Sequence, residues 1–311
     1  AAVALAEWAE QIKEDSDGRL VINIHYNGTL ASMSDAVTMT STGGVDMCWN
    51  TVSINTNFLP LSEITNYPGV PLTNSLQGTL ALQNIYENYE CIQEEFEAMN
   101  VKILALHANA PSFLSGKKQF DTVADFKGEI IRANSTAYTI LCDALGMSQM
   151  ACSTGEMYEN FSKNVMSSTI VDVTLVQAMH TYEVAPYIMN YNFGTPGGFV
   201  AINLDSYAKL PADLQALLDD SYHDLSFAIA TNFNNAARDF LSDTESTGIV
   251  IYEPSDEVAD EIETITQDQI MTEWIQAAND KGLDGEKLYS EFTQIMKDAY
   301  ETYGSEYNWV Q

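Results

Sequence analysis

Residues 125–136 read DFKGEIIRANST. Charged residues surround a turn, Ile130-Ile131 reads as a short buried strand, and Arg132 stands where that strand gives way to the polar run Ala133-Asn134-Ser135. Arg132 is one of three arginines, with Arg19 and Arg238, in a chain of 13 basic and 44 acidic residues and a formal net charge of −31. A guanidinium is a rigid fork of donors that matches both oxygens of a carboxylate. In open α/β sheets, ligands gather beyond the carboxyl ends of strands. Two readings of Arg132 are therefore open: the anchor of an anionic ligand, or a surface ion pair with one of the many acids.

Helical and strand-like periods alternate on both sides of this stretch. Leu5, Trp8, Ala9 and Ile12 fall at helical spacing, and Ser16-Asp17-Gly18 ends that helix. RLVINIHYNG then alternates Leu20, Ile22, Ile24 and Tyr26, which predicts a strand. A helix over roughly 34–42, the strand GGVDMCW, helical spacing through QGTLALQNIYENYECIQEEFEAMN and the strand VKILALHA follow. Beyond Arg132, AYTILCDALG and GEMYENFSKN read as helices, and STIVDVTLV and GGFVAINLD as strands. From Ala212 to about Ser242 apolar residues keep helical spacing without an interior Gly or Pro, which predicts one helix of about 45 Å, or two with an uncapped break. GIVIYEP is a strand, and the tail is helical. Strands separated by helices predict parallel α/β architecture. No low-complexity linker interrupts the 311 residues, so two domains of this size have to interdigitate.

Composition excludes several classes. The acidic excess argues against nucleic acid or an anionic lipid surface as partner. No window approaches 18 uninterrupted apolar residues, so no membrane-spanning helix is expected. The opening AAVALAEWAEQ lacks a basic n-region and is not itself a signal peptide. Cys48, Cys91, Cys142 and Cys152 show no metal spacing, and a Cys142–Cys152 pair is open. GxGxxG at a strand-to-helix turn, GxxxxGK[ST], GxSxG and HExxH are all absent, and His25, His107, His180 and His223 are scattered. Asp219-Asp220 and the acids of SDEVADEIETITQDQ read as solvated helix faces. Neither catalytic residues, a metal site nor a cofactor is expected; the chain reads as a recognition protein and not an enzyme.

Four blocks in order, "SDGRLVINIHYNGTL…GGVDM", "VADFKGEIIRANS", "GEMYENFSKN" and "INLDSYAKLPADLQALL", resemble the successive blocks of the DctP-type solute-binding proteins of TRAP transporters, from about residue 4 to 300. The resemblance implies a Venus-flytrap of two α/β domains with a long helix spanning both. Residues 1–109 and 198–237 would form the first domain, and 110–197 with 238–265 the second. Residues 266–311 would add helices that pack on the domains. The family also has a strand before its first helix; here that strand is expected upstream of the given sequence.

The resemblance further implies that Arg132, matching the arginine of D-L-K-G-x-K-I-R, clamps a substrate carboxylate in a cleft open to water. Ser112 stands where sialic-acid-binding members carry a second arginine. Val171, flanked by Ile170 and Asp172, stands where they carry an asparagine. Both departures point to a smaller or less polar acid. The expected walls are Trp49 and Asn50 after GGVDMC, Asn134 and Tyr138 after the clamp, and Asn192 and Phe193 on the return between domains. Trp49 reads equally as core, and Tyr138 as helix packing. Asn50 or Asn192 would meet the far end of a diacid. The implied protein is a periplasmic or otherwise extracytoplasmic monomer, with lipid anchoring as an option. It would deliver a small carboxylate ligand to TRAP membrane subunits. The alternative is a sensor or scavenging module built on the same clamshell.

Overall fold

A computed structural model describes residues 1–303. The final eight residues of the expected 266–311 helical segment lie outside the described residues. The elements run α1 (Ala2–Asp15), α2 (Met33–Ser41), β1 (Met47–Thr51), α3 (Ser75–Asn88), α4 (Glu90–Glu97), β2 (Val101–Ala108), β3 (Ser112–Gly116), β4 (Ile130–Arg132) and α5 (Thr136–Ala144). They continue with β5 (Ser148–Gln149), α6 (Met157–Ser162), β6 (Ser168–Asp172), α7 (Val173–Ala178), β7 (Tyr187–Met189), β8 (Gly197–Asn203), α8 (Leu204–Ala208), α9 (Ala212–Asp220) and α10 (Tyr222–Ser242). The last are α11 (Thr244–Thr247), β9 (Val250–Tyr252), α12 (Asp256–Ile265), α13 (Met271–Asp280) and α14 (Gly285–Tyr303).

Two sheets carry two domains. The first has the order β1-β8-β2 and the second β5-β4-β6-β3-β7-β9. The expected parallel arrangement holds only locally. β8 is antiparallel to both β1 and β2, and β3 is antiparallel to β6 and β7, whereas β4 is parallel to β5 and β6, and β7 to β9. The reason lies in the crossings. β2 runs straight into β3 through residues 109–111, and β7 into β8 through 190–196, so β3 and β8 enter their sheets from the opposite domain and run against their neighbours. The crossings lie side by side: Asn109 N donates to Pro196 O (2.8 Å), Ser112 N to Gly194 O (2.8 Å) and Phe193 N to Ser112 O (3.2 Å). At their tightest point is Gly194, with φ +100°, where an added Cβ would lie 2.4 Å from the Asn66 carbonyl carbon.

RLVINIHYNG does not form a strand. Leu20, Ile22 and Ile24 are half-buried and Val21, Asn23 and His25 exposed, so the side chains keep their period of two. Yet no main-chain hydrogen bond among the described residues involves 21–25, and no described strand runs beside them. Alternation sorts side chains between two faces; a ladder also needs a neighbour to bond.

The long apolar period is two helices. It breaks at Ser221, whose hydroxyl accepts from Trp8 Nε1 (2.9 Å) and donates to Leu218 O (2.8 Å). α10 still spans the molecule, packing on β2 and α3 of the first domain and α7 of the second. Its buried stripe is Leu225, Ile229, Phe233, Ala237 and Phe240. STIVDVTLV is a strand only to Asp172, whose side chain accepts from Leu175 N and caps α7. α12 turns its acids outward over buried Val258, Ile262 and Ile265 and passes through a π-helical turn (266–270) into α13. There Trp274 is fully buried and donates to Leu61 O at 3.1 Å. All four cysteines are free.

Candidate functional site

β4 ends at Arg132 because the chain must leave the sheet for the helix that Ser135 caps through the Tyr138 N–H (3.1 Å). Arg132 pairs in register with Thr169 of β6, and Asp172 at the end of β6 pairs with Ser112 at the start of β3. Arg132 thus ends its strand toward the same side of the second sheet from which the crossings leave. Of the expected buried pair, Ile131 is buried and Ile130 is 39% exposed.

The three arginines divide sharply. Arg19 and Arg238 are exposed and paired with Asp213 (2.5 Å) and Asp239 (3.2 Å). Arg132 is 2% exposed, and among the described residues no carboxylate pairs with it. Its Nε donates to Cys152 O at 3.0 Å. With the Asn134 amide turned so that its oxygen faces the guanidinium, Oδ1 accepts from Nη1 at 3.0 Å and Nη2 at 2.5 Å. Burial lowers the Arg132 pKa, partly offset by Cys152. The open, hydrated setting expected for this side chain is therefore not what the structure has: the guanidinium is enclosed, with neutral acceptors only. A buried charge is costly unless paired.

The other expected wall residues are placed variously. Trp49 donates to His107 Nε2 at 2.9 Å and stacks on that ring, which itself stacks on Phe233. Asn50 is wholly buried; its amide donates to Met33 O and accepts from Thr51 N and Asn55 Nδ2. Asn192 donates to Val70 O and Leu72 O and accepts from Gly194 N. Both amides brace loops in this structure. Tyr138 is buried, its hydroxyl 2.8 Å from both Asn66 Oδ1 and Phe193 O. Phe193 is fully buried beside Tyr191. Val171 is 7% exposed and packs in a buried cluster that draws on both domains.

Other polar groups near the crossings lack partners. Thr65 Oγ1, Asn66 Nδ2 and Asn109 Oδ1 are buried without hydrogen-bond partners among the described residues. Thr65 and Asn66 lie on a 3-10 turn of the first domain whose Thr65 O accepts from Thr195 N (2.7 Å), and Asn109 lies on a crossing. Ser112 Oγ completes no hydrogen bond of normal geometry either. It lies near the Tyr138 hydroxyl, whose pKa burial raises against the pull of Ser112. Buried polar atoms are almost always paired, so orphans near the crossings stand out as the candidate polar lining of a site between the domains. No periodicity or motif singles out Thr65, Asn66 or Asn109, and the Cys152 contact is a main-chain carbonyl that no side-chain pattern encodes.

His107 supplies a pH test of this region. Burial pushes its pKa down to about 3, and its Nδ1 has no partner among the described residues. A base held neutral by the fold stabilises it fully above the unfolded value of about 6.5, and that contribution is lost as pH falls toward 3. Between pH 7 and 5 the wild type should lose more thermal stability than His107→Gln, by about 1 kcal/mol or more. Equal slopes in parallel melting series would show that His107 is not held neutral.

Comparisons with known proteins agree with this layout. A TRAP periplasmic solute-binding protein from Bordetella bronchiseptica, solved with bound (R)- and (S)-mandelate, superimposes with a TM-score of 0.84 at 20% identity, covering 94% of this chain and 93% of that one. Another from Desulfovibrio salexigens, in an open complex, gives 0.80 at 20% identity over 98% and 93%. A solute-binding protein from Roseobacter denitrificans is 22% identical over 214 residues, 68% of this chain and 65% of that protein. One from Chromohalobacter salexigens is 23% identical over 59% of this chain and 54% of its own length. The chain thus spans less than two thirds of these two curated relatives. The family model described as bacterial extracellular solute-binding protein, family 7 (DctP), matches residues 2–277, nearly the whole two-domain body built above. The chain belongs to that family.

Proposed function

We propose that this protein captures a small organic acid between its domains, with the ligand carboxylate on Arg132, and delivers it to TRAP membrane subunits without chemical change. One observation carries this reading: in a chain with 44 acids, the single buried arginine is the one with no acid beside it among the described residues. A ligand carboxylate would supply the missing partner. Asn134, Ser112, Asn66 and Asn109 would meet its neutral polar groups; Tyr138, Phe193, Trp49 and Val171 would shape the walls. The similar structures hold mandelate, benzoate and pyroglutamate, each a small carboxylate, which fits the reading. Family membership supports an extracytoplasmic setting, and no helix among the described residues is long and apolar enough to cross a membrane. We take the working form to be a monomer, with lipid anchoring as an option.

The division that fits the crossings places 1–109 and 198–237 in one domain and 110–197 with 238–265 in the other, hinged where the two crossings lie together. A ligand touching both would then draw them together. The test is a thermal-shift panel of mandelate, benzoate, pyroglutamate and their carboxamides. A bound acid at 100 times its Kd should stabilise by about 2.7 kcal/mol, and the matching amide should not. Small-angle scattering with the same acid should show compaction. Equal stabilisation by acid and amide would remove the carboxylate from the reading.

A further inference from the structure

Glu63 is the least expected acid in the molecule. It sits on the 3-10 turn Ser62–Asn66 of the first domain and is 1% exposed. It faces the first turn of α5 in the second domain, where the Ser135 and Thr136 hydroxyls and the Thr136 and Ala137 N–H groups act on it. Among the described residues its Oε1 has no hydrogen-bond partner and no cation pairs with it. The contrast is Glu95, also buried, whose oxygens take Leu61 N (2.9 Å), Ser62 N (3.0 Å) and Ser62 Oγ (2.8 Å) with Lys281 Nζ at 3.6 Å. Glu95 is a satisfied structural acid within the first domain; Glu63 is an incompletely satisfied one across the gap between domains. The same turn makes a second bridge to α5, Tyr138 to Asn66. Ser135, which caps α5, stands three residues after Arg132, so whatever holds this turn to α5 also holds the Arg132 loop closed.

We propose that Glu63 is a proton-operated latch between the domains: uncharged, it lets the first-domain turn seat against α5 and close over Arg132; ionised, it favours separation. The proposal rests on the reading of Arg132 as the anchor of an interdomain ligand and adds the regulation of that site. Burial pushes the Glu63 pKa up to about 8, against the pull of Ser135, Thr136 and Ala137. The titratable groups around it do not offset this. Tyr67 at the end of its own turn and Tyr138 on α5 are both buried phenols raised by burial and by the Glu63 charge, and Glu273 of α13 and Glu95 of α4 act on Tyr67 in the same direction. Separation would return Glu63 to water and to its ordinary value of 4.5. Closure then takes up a proton between those two values. The ratio of closed to open forms is highest below pH 4.5, falls as pH rises by at most about tenfold per unit, and levels above about 8. Ligand would be held in acid surroundings and released as pH rises.

The test uses the full chain without ligand. Difference infrared spectra of wild type against Glu63→Gln should show one protonated carboxyl at pH 6.5 that titrates near pH 8. Small-angle scattering should show wild type expanding between pH 6 and 8.5, with the closed-to-open ratio falling at least about tenfold, while Glu63→Gln stays compact throughout. Melting of the variant at pH 6 within a few degrees of wild type would show that it folds. The latch is overturned if Glu63 is already ionised at pH 6.5, or if wild type and Glu63→Gln keep the same dimensions at both pH values. The Arg132 reading fails separately: if Arg132→Ala binds a stabilising acid normally while Glu63 titrates as expected, the carboxylate anchor falls and the latch stands.

Discussion

Arg132→Ala should weaken binding of the ligand acid by roughly 30-fold to several thousand-fold, the equivalent of about 2–5 kcal/mol lost when one partner of a buried charge pair is removed. Much of that loss comes from a carboxylate left enclosed without its cation. The ligand-free protein should behave in the opposite way. Arg132 is 2% exposed with Cys152 O and Asn134 as its partners and no acid, so its charge is a burden in the empty protein. Removing it should leave the melting temperature unchanged or slightly raised, although Cys152 O loses a donor. Arg132→Lys should recover binding only in part, because an ammonium cannot reproduce the fork. Isothermal titration of an acid from the panel, run beside melting curves, separates the two effects. A variant that unfolds without ligand yet binds with full affinity would make Arg132 a structural residue.

Gly194→Ala should be the most damaging single methyl group in the chain. At φ +100° an alanine is strained, and its Cβ would lie 2.4 Å from Asn66 C, 2.7 Å from Asn66 O and 2.7 Å from Tyr67 N, all backbone atoms that cannot rotate away. Strain of about 1–3 kcal/mol and overpacking of a similar size add together. A fall in melting temperature on the order of 10 °C is expected for a chain of this length. Because the crowded atoms belong to the turn that carries Glu63, Thr65 and Asn66, surviving protein should also bind poorly. A calorimetric melt within 2 °C of wild type would show that the crossing yields more easily than its geometry implies.

How far the sequence could be read depended on what each signal measures. Helical spacing reports one buried stripe, and α1, α3, α5 and α14 lie where that stripe predicts. Alternation along 20–26 reports two faces and says nothing about neighbours, which is why it suggests a strand where none is bonded. Strand direction was not legible either. The reversal of β3 and β8 arises from crossings of three and seven residues that carry no directional mark. At the site, Arg132 stood out because arginine is scarce and strand ends are informative. Asn50 and Asn192 carry no mark that separates loop bracing, which they do here, from ligand contact, because asparagine serves both with the same atoms. Glu63 was invisible: one glutamate among 44 acids differs from the rest only in where the chain's return buries it.

The order β1-β8-β2 has a consequence for biogenesis. β1 and β2 never touch; each is bonded to β8, which is translated after most of the second sheet. At about 5–20 residues per second, a ribosome needs roughly 8–30 s to go from the end of β1 at Thr51 to the end of β8 at Asn203. Until then the first sheet has no internal hydrogen bond, and Val101 to Ala108, apolar along most of its length, has nowhere to pair. The nascent chain therefore carries a long-lived sticky strand, the kind of segment that holding chaperones and export machinery engage. Neither domain can be obtained by cutting the gene at one point.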